Sequence, residues 1–76
     1  MRILLVEDDD MIGESVMAGL ETEGHAIDWV RDGNSALLAL NTTPYSLVIL
    51  DLGLPGKDGL QVLKEMRGRR DPTPVL

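Results

Sequence analysis

Two short apolar runs that each end at an acid constrain the fold of this chain most strongly. Residues 3–6 are followed by four consecutive acidic residues, and the run from Leu47 to Leu50 is followed directly by Asp51. An uninterrupted apolar run of this length is typical of a strand buried on both faces of a parallel sheet. Ligands of open α/β sheets bind at the carboxyl ends of the strands, so both acidic ends are candidate functional positions.

The chain as a whole alternates between strand-like and helix-like segments, which indicates βαβ units and a parallel sheet. We predict strands over residues 2–6, 25–30 and 47–50, with residues 75–76 opening a fourth. Apolar residues at helical spacing predict the inward faces of three helices. These positions are Ile12, Val16 and Leu20 in the first helix, Ala36, Leu37 and Leu40 in the second, and Leu60, Leu63 and Met66 in the third, with Val62 at the margin.

Short polar side chains and glycines mark the helix ends. Asp9 or Asp10, then Asp32, then Asp58 are predicted to cap the three helices, because a carboxylate can accept a hydrogen bond from an otherwise unpaired N–H. Gly24 and Asn41 are predicted to end the first two helices in a left-handed conformation.

The connections of a parallel sheet decide where the acids meet. Each strand–helix–strand crossover is right-handed, and placing the first strand between the other two gives the order 2-1-3. The first two helices then cover opposite faces, and the crevice opens between strands 1 and 3. Asp28 in the middle of strand 2 agrees with an edge position for that strand. Asp51 and several of the acids at positions 7–10 are therefore expected to converge.

Converging carboxylates repel one another unless a cation or protons neutralise them. Carboxylates and a backbone carbonyl are the oxygen ligands that Mg²⁺ prefers. With Mg²⁺ present, a carboxylate can attack a phosphoryl group and form an aspartyl phosphate. Two other interpretations stay open: Asp9 and Asp10 can be helix caps alone, and Glu7 and Asp8 can be solvated turn residues.

Composition excludes several other functions. The chain has 76 residues and no Cys, so it is at most one domain without disulfides or thiolate chemistry, as befits a cytoplasmic protein. A net charge of −6, one Trp, one Tyr and no Phe argue against nucleic-acid binding by this segment. No apolar run reaches the ~18 residues of a membrane span, so we expect no membrane partner.

Two motifs together resemble the receiver domain of two-component response regulators. They are Ile-Leu-Leu-Val-Glu-Asp-Asp at residues 3–9 and Val-Ile-Leu-Asp-Leu-Gly-Leu-Pro-Gly-Lys-Asp-Gly at residues 48–59. The amino-acid sequence of these motifs is most similar to the branch with a C-terminal winged-helix DNA-binding domain, and within it to regulators of the polymyxin-resistance and quorum-sensing type. The resemblance implies a flavodoxin-like, doubly wound parallel sheet and a signalling switch rather than an enzyme.

The resemblance also implies roles for individual residues. Asp51 matches the phosphoacceptor, which takes a phosphoryl group from a sensor histidine kinase. Asp8, Asp51 and the backbone carbonyl of Gly53 would bind Mg²⁺ directly, and Glu7 would bind it through water. Pro55 and Gly59 match positions that shape the following loop and open the third helix.

The chain departs from this family in what it lacks. A complete receiver has five strands in the order 2-1-3-4-5, whereas residues 1–76 reach only the opening of the fourth, as in the N-terminal part of such a domain. The family's Ser/Thr after strand 4, the aromatic residue on strand 5, the Lys after strand 5 and the output domain have no counterpart, and Lys57 does not match that Lys. We therefore expect impaired phosphotransfer. We also expect self-association through an unpaired edge of strand 3, or by swapping of an element.

Two alternative functions are considered. A phosphohydrolase of the haloacid-dehalogenase type also places a nucleophilic Asp after an apolar strand, but it needs a second acid two residues later, where this chain has Gly53. A non-catalytic fragment that competes for the kinase or for receiver dimerisation is compatible with the same residues.

Overall fold

Three parallel strands and three helices form the fold in the computed structural model, which describes all 76 residues. The elements are β1 (Arg2–Val6), α1 (Asp10–Thr22), β2 (Ala26–Val30), α2 (Gly33–Thr42), β3 (Leu47–Leu50) and α3 (Gly59–Gly68). The strand order is β2-β1-β3, and both pairings are parallel, as predicted.

Two predicted boundaries are wrong. Strand β2 begins at Ala26 rather than His25, because the N–H of His25 bonds to the carbonyl of Leu20 and so belongs to the end of α1. Helix α2 continues through Thr42 and does not end at Asn41. Thr43 ends it in an extended conformation, which agrees with Pro44 disfavouring a helical residue before it.

The outer edge of β3 is paired with the last residues of the chain. Val48 and Val75 form a parallel bridge, which confirms the predicted opening of a fourth strand. The N–H of Val48 bonds to the Pro74 carbonyl at 2.9 Å, and the N–H of Leu50 bonds to the Leu76 carbonyl at 3.1 Å. The expectation of an unpaired β3 edge is therefore wrong at Val48 and Leu50.

The main core lies on one face of the sheet, under α2 and α3. Its buried members are Leu4, Val6, Ala36, Val48, Leu54, Val62 and Met66. Two expectations for α3 are wrong: Val62 is fully buried rather than marginal, and Leu60 is 53% exposed rather than inward. Val62 and Met66 are four residues apart and share one face of the helix, so α3 is rotated relative to the predicted face.

Helix α1 packs on the opposite face, against β2. Trp29 is in register with Leu5, whereas the next residues of β1 on either side face the main core, and successive strand residues point to opposite faces. Gly13 of α1 is buried against the Trp29 ring. Ile12 is 52% exposed, so its predicted inward position is wrong, while Val16 and Leu20 are half-buried.

Acidic side chains cap all three helices, as predicted. Asp9, rather than Asp10, caps α1 by accepting from the Ile12 N–H at 2.9 Å. Asp32 and Asp58 cap α2 and α3, and Gln61 completes a capping box with Asp58. Gly24 has a φ of +89°, which matches its predicted left-handed conformation.

Strand β2 lies at the edge of the sheet, as Asp28 in its middle predicts. Asp28 accepts hydrogen bonds from the Tyr45 hydroxyl at 2.6 Å and from Nη2 of Arg2 at 2.9 Å.

Outside the sheet, none of the three helices combines the length and apolar character that crossing a lipid bilayer requires.

Candidate metal centre

Three carboxylates meet at the carboxyl ends of β1 and β3. Glu7, Asp8 and Asp51 each place one carboxylate oxygen so that the three atoms lie within 4.8 Å of one another. The strands hold this arrangement, because Val6 is in register with Leu50 and the Asp51 N–H bonds to the Val6 carbonyl at 3.0 Å. The acids that the sequence predicts to converge therefore do so.

Asp51 is held in a conformation that favours its ionised form. The N–H of Gly53 donates to Oδ1 of Asp51 at 3.1 Å. This bond, followed by the neighbouring Glu7 and Asp8 side chains, holds the pKa of Asp51 below its usual value despite the opposing effect of burial. An ionised carboxylate is the form that can act as a nucleophile or a metal ligand.

The pKa of Glu7 is shifted in the opposite direction from that of Asp51. Partial burial and the adjacent Asp51 raise the pKa of Glu7, although the N–H of Asp9 donates to Oε2 of Glu7 at 3.2 Å and works against this rise. The hydrogen bonds of the protein therefore offset only part of the repulsion between these carboxylates. A hard cation with oxygen ligands would relieve the repulsion that remains.

Two glycines allow the surrounding backbone to close on Asp51 and its loop. A Cβ on Gly59 would lie 2.4 Å from the Asp51 carbonyl oxygen, so only glycine lets α3 start this close to the end of β3. A Cβ on Gly33 would lie 2.1 Å from the Lys57 carbonyl, so α2 approaches the same loop equally closely. Leu54 is buried in the main core and anchors the loop between these contacts.

The other charged residues of these loops lie outside the cluster. Asp9 is occupied as a helix cap, and Asp10 forms an ion pair with Arg31. Nζ of Lys57 bonds to Oε2 of Glu65 at 2.6 Å. The structure thus separates the three clustered carboxylates from the remaining acids that follow β1.

Sequence reasoning missed one residue beside the site. Nε1 of Trp29 donates a hydrogen bond to the carbonyl oxygen of Glu7 at 2.9 Å. Gly13, the fourth residue of α1, was the available signal, because glycine is unfavourable inside a helix unless another group needs the space. The pattern does not say which side chain fills that space.

A parallel sheet in the order 2-1-3 with an acidic cluster at its switch point defines a receiver-type α/β domain. The family profile of the response regulator receiver domain matches residues 3–76. The chain belongs to this family, as its motifs indicated.

Curated relatives of the chain include response regulators whose names describe control of transcription. It is 49% identical to the transcriptional regulatory protein QseB of Haemophilus influenzae and 47% identical to the response regulator protein PmrA of Pseudomonas aeruginosa. Both matches cover all of this chain and 34% of the relative, so the chain spans about a third of the length of these curated relatives. These relatives are regulators of the type to which the motifs were predicted to be similar.

The solved structure of the response regulator TrrA from Thermotoga maritima shares the fold. It superposes with a TM-score of 0.91 at 38% identity and covers 97% of this chain and 64% of TrrA. That structure is a complex with Mg(2+)-BeF, and TrrA has also been solved in complex with the histidine kinase ThkA.

Proposed function

We propose that this chain is a phosphorylation-controlled signalling module in which Asp51 accepts a phosphoryl group from a sensor histidine kinase. The observation that carries the proposal is the meeting of Asp51 with Glu7 and Asp8 within 4.8 Å at the ends of adjacent strands. The lowered pKa of Asp51 supports it, because it favours the ionised carboxylate, the form that can act as a nucleophile. The complexes of TrrA with Mg(2+)-BeF and with a histidine kinase support the same chemistry.

The donor set fits Mg²⁺, since every candidate ligand atom is an oxygen. Asp8, Asp51 and the Gly53 carbonyl would hold the ion directly, and Glu7 would hold it through water. The bound ion would neutralise negative charge on the transferring phosphoryl oxygens.

The residues of the chain supply the remaining parts of the reaction. A carboxylate oxygen of Asp51 forms a bond to phosphorus while the bond from phosphorus to the kinase imidazole breaks. The electron pair of the broken bond stays with the imidazole nitrogen. The Gly53 N–H orients the Asp51 carboxylate through its bond to Oδ1. The product is an aspartyl phosphate, whose formation biases a two-state domain.

Residues 1–76 correspond in this proposal to the N-terminal part of a cytoplasmic receiver domain. Contact with DNA would be made only by an output domain outside these residues, in line with the net charge of −6. In this proposal the chain is a signalling module and not an enzyme that turns over a substrate. A haloacid-dehalogenase-type hydrolase is disfavoured, because Gly53 has no side-chain carboxyl group at the position where that mechanism needs a second acid. Self-association stays a prediction.

Labelling with a small phosphodonor tests the proposal. The chain is incubated with Mg²⁺ and acetyl phosphate, and the gain of one phosphoryl group is followed by intact mass. We expect wild type to be labelled slowly and Asp51→Asn not at all. Glu21→Gln is the matched control, because it also removes one negative charge, from an exposed carboxylate of α1 that lies outside the cluster.

Two results would contradict the proposal. Labelling of Asp51→Asn at the wild-type rate would place the phosphoryl group elsewhere. A label that resists hydroxylamine would show that the product is not an acyl phosphate.

A further inference from the structure

We propose that Trp29 is a positioning residue for the acidic site. Its indole N–H fixes the peptide between Glu7 and Asp8, and with it the Asp8 carboxylate that would bind the divalent cation. This inference rests on the proposed function of the site. It adds a residue of the edge strand β2 to a site whose acids follow β1 and β3.

The main chain of Glu7 is held by two consecutive residues of β2. The Glu7 N–H donates to the Val30 carbonyl at 3.1 Å, and the Glu7 carbonyl accepts from Nε1 of Trp29 at 2.9 Å. The Glu7 carbonyl and the Asp8 nitrogen belong to one planar peptide group. The indole therefore determines the orientation of the unit that leads into Asp8, at a point where β1 has ended and ladder hydrogen bonds no longer constrain the chain.

The indole is itself held from α1 and from the loop after β2. A Cβ on Gly13 would lie 2.1 Å from Cζ2 of Trp29, so the ring occupies the space that the side chain of any residue other than glycine would need at this position. Cζ of Arg31 lies 4.1 Å from the centroid of the indole ring, and Arg31 also pairs with Asp10 in the first turn of α1. Cation–π contacts of this kind favour the observed position of the ring. Contacts from α1 and from the loop after β2 thus set the direction of the N–H.

Apolar packing of α1 on β2 alone would not require a donor at this position. A phenylalanine would keep an apolar aromatic ring between α1 and β2, whereas only the indole places an N–H on the Glu7 carbonyl. The two roles therefore predict different results when the donor is removed and the ring is kept.

Calorimetric titration of the 76-residue chain with Mg²⁺ separates these roles. Trp29→Phe keeps an aromatic ring and removes the N–H, and we expect the Kd for Mg²⁺ to rise about tenfold, as for other partners that orient metal ligands. Tyr45→Phe is the matched control, because it also removes an aromatic donor from a bond to the sheet, at Asp28, without touching Glu7. We expect Tyr45→Phe to bind Mg²⁺ as wild type does, and circular dichroism checks the fold of each variant.

A second readout needs no substitution. Because Trp29 is the only tryptophan, the ¹H–¹⁵N spectrum contains one indole signal. We expect this signal to shift on addition of Mg²⁺, with the same midpoint as the calorimetric titration, and to stay fixed in Asp8→Asn. This measurement decides the matter if Trp29→Phe does not fold.

The outcomes distinguish the inference from the proposed function. If wild type binds Mg²⁺ and Trp29→Phe binds it equally well, or if the indole signal does not move, the positioning role is wrong while the metal site stands. If wild type does not bind Mg²⁺, both are overturned.

Discussion

Asp28 illustrates how one charged residue is accommodated in the middle of a strand. The Tyr45 hydroxyl first, and then Arg2, hold the pKa of Asp28 below its usual value of 3.8. Because the folded state lowers this pKa, the ionised carboxylate adds stability above the pKa of the unfolded chain. That contribution is lost as pH falls through the lower pKa of the folded state.

Tyr45→Phe tests this account at a single hydrogen bond. We expect the pKa of Asp28 to rise toward 3.8 and the free energy of unfolding at neutral pH to fall by about 0.5–1 kcal/mol, a modest loss because the Asp28 side chain is 40% exposed. Urea unfolding at neutral pH and below the folded pKa of Asp28 measures the difference between variant and wild type. The difference should shrink in acid; a deficit that is the same at every pH would mean that lost packing, not the charged bond, is responsible.

At the same scale, the sequence predicts the acidic residues of the site better than their supports. Glu7, Asp8 and Asp51 could be found because each follows an apolar run, and such runs form strands from local composition alone. Trp29 could not, because its bond to the Glu7 carbonyl depends on how β2 lies beside β1 and on the space left by Gly13. Contacts between elements leave little trace in a single sequence.

The elements show the same distinction between local and tertiary causes. Helix ends were mostly predictable, because a capping Asp acts within three residues of its partner, as Asp9 does with Ile12. The buried faces of the helices were less predictable than their ends. The exposed Ile12 and Leu60 have the apolar character of core residues, but α1 is oriented by Gly13 against Trp29 and α3 by Val62 and Met66 against the sheet.

Two glycines of α1 provide a matched test of that orientation. Gly19→Ala has open space around it and should raise the free energy of unfolding by about 0.5–1 kcal/mol through helix propensity. Gly13→Ala gains the same propensity but must displace the Trp29 ring, so we expect a net loss of about 1–2 kcal/mol. Urea unfolding of both variants measures the contrast, and equal stabilisation by the two substitutions would show that the indole does not pack on α1 as described.

For the whole molecule, one strand connects stability to function. Residues 3–6 of β1 are all buried, at no more than 2% exposure, and β1 pairs with both other strands. The same strand ends at Glu7 and Asp8, and β3 beside it ends at Asp51, so the core sets the spacing of the three carboxylates. The sheet order was predictable because crossover handedness and the acidic strand ends agree on one switch point.

The central claim is that this carboxylate cluster is a metal-assisted phosphoacceptor site. A crystal structure of the chain with Mg²⁺ and beryllofluoride tests it most directly, since beryllofluoride attached to a carboxylate stands in for the aspartyl phosphate. We predict the beryllium on a carboxylate oxygen of Asp51 and the Mg²⁺ beside it on Asp8. Beryllofluoride on another residue, or Mg²⁺ bound away from Asp8 and Asp51, would contradict the account.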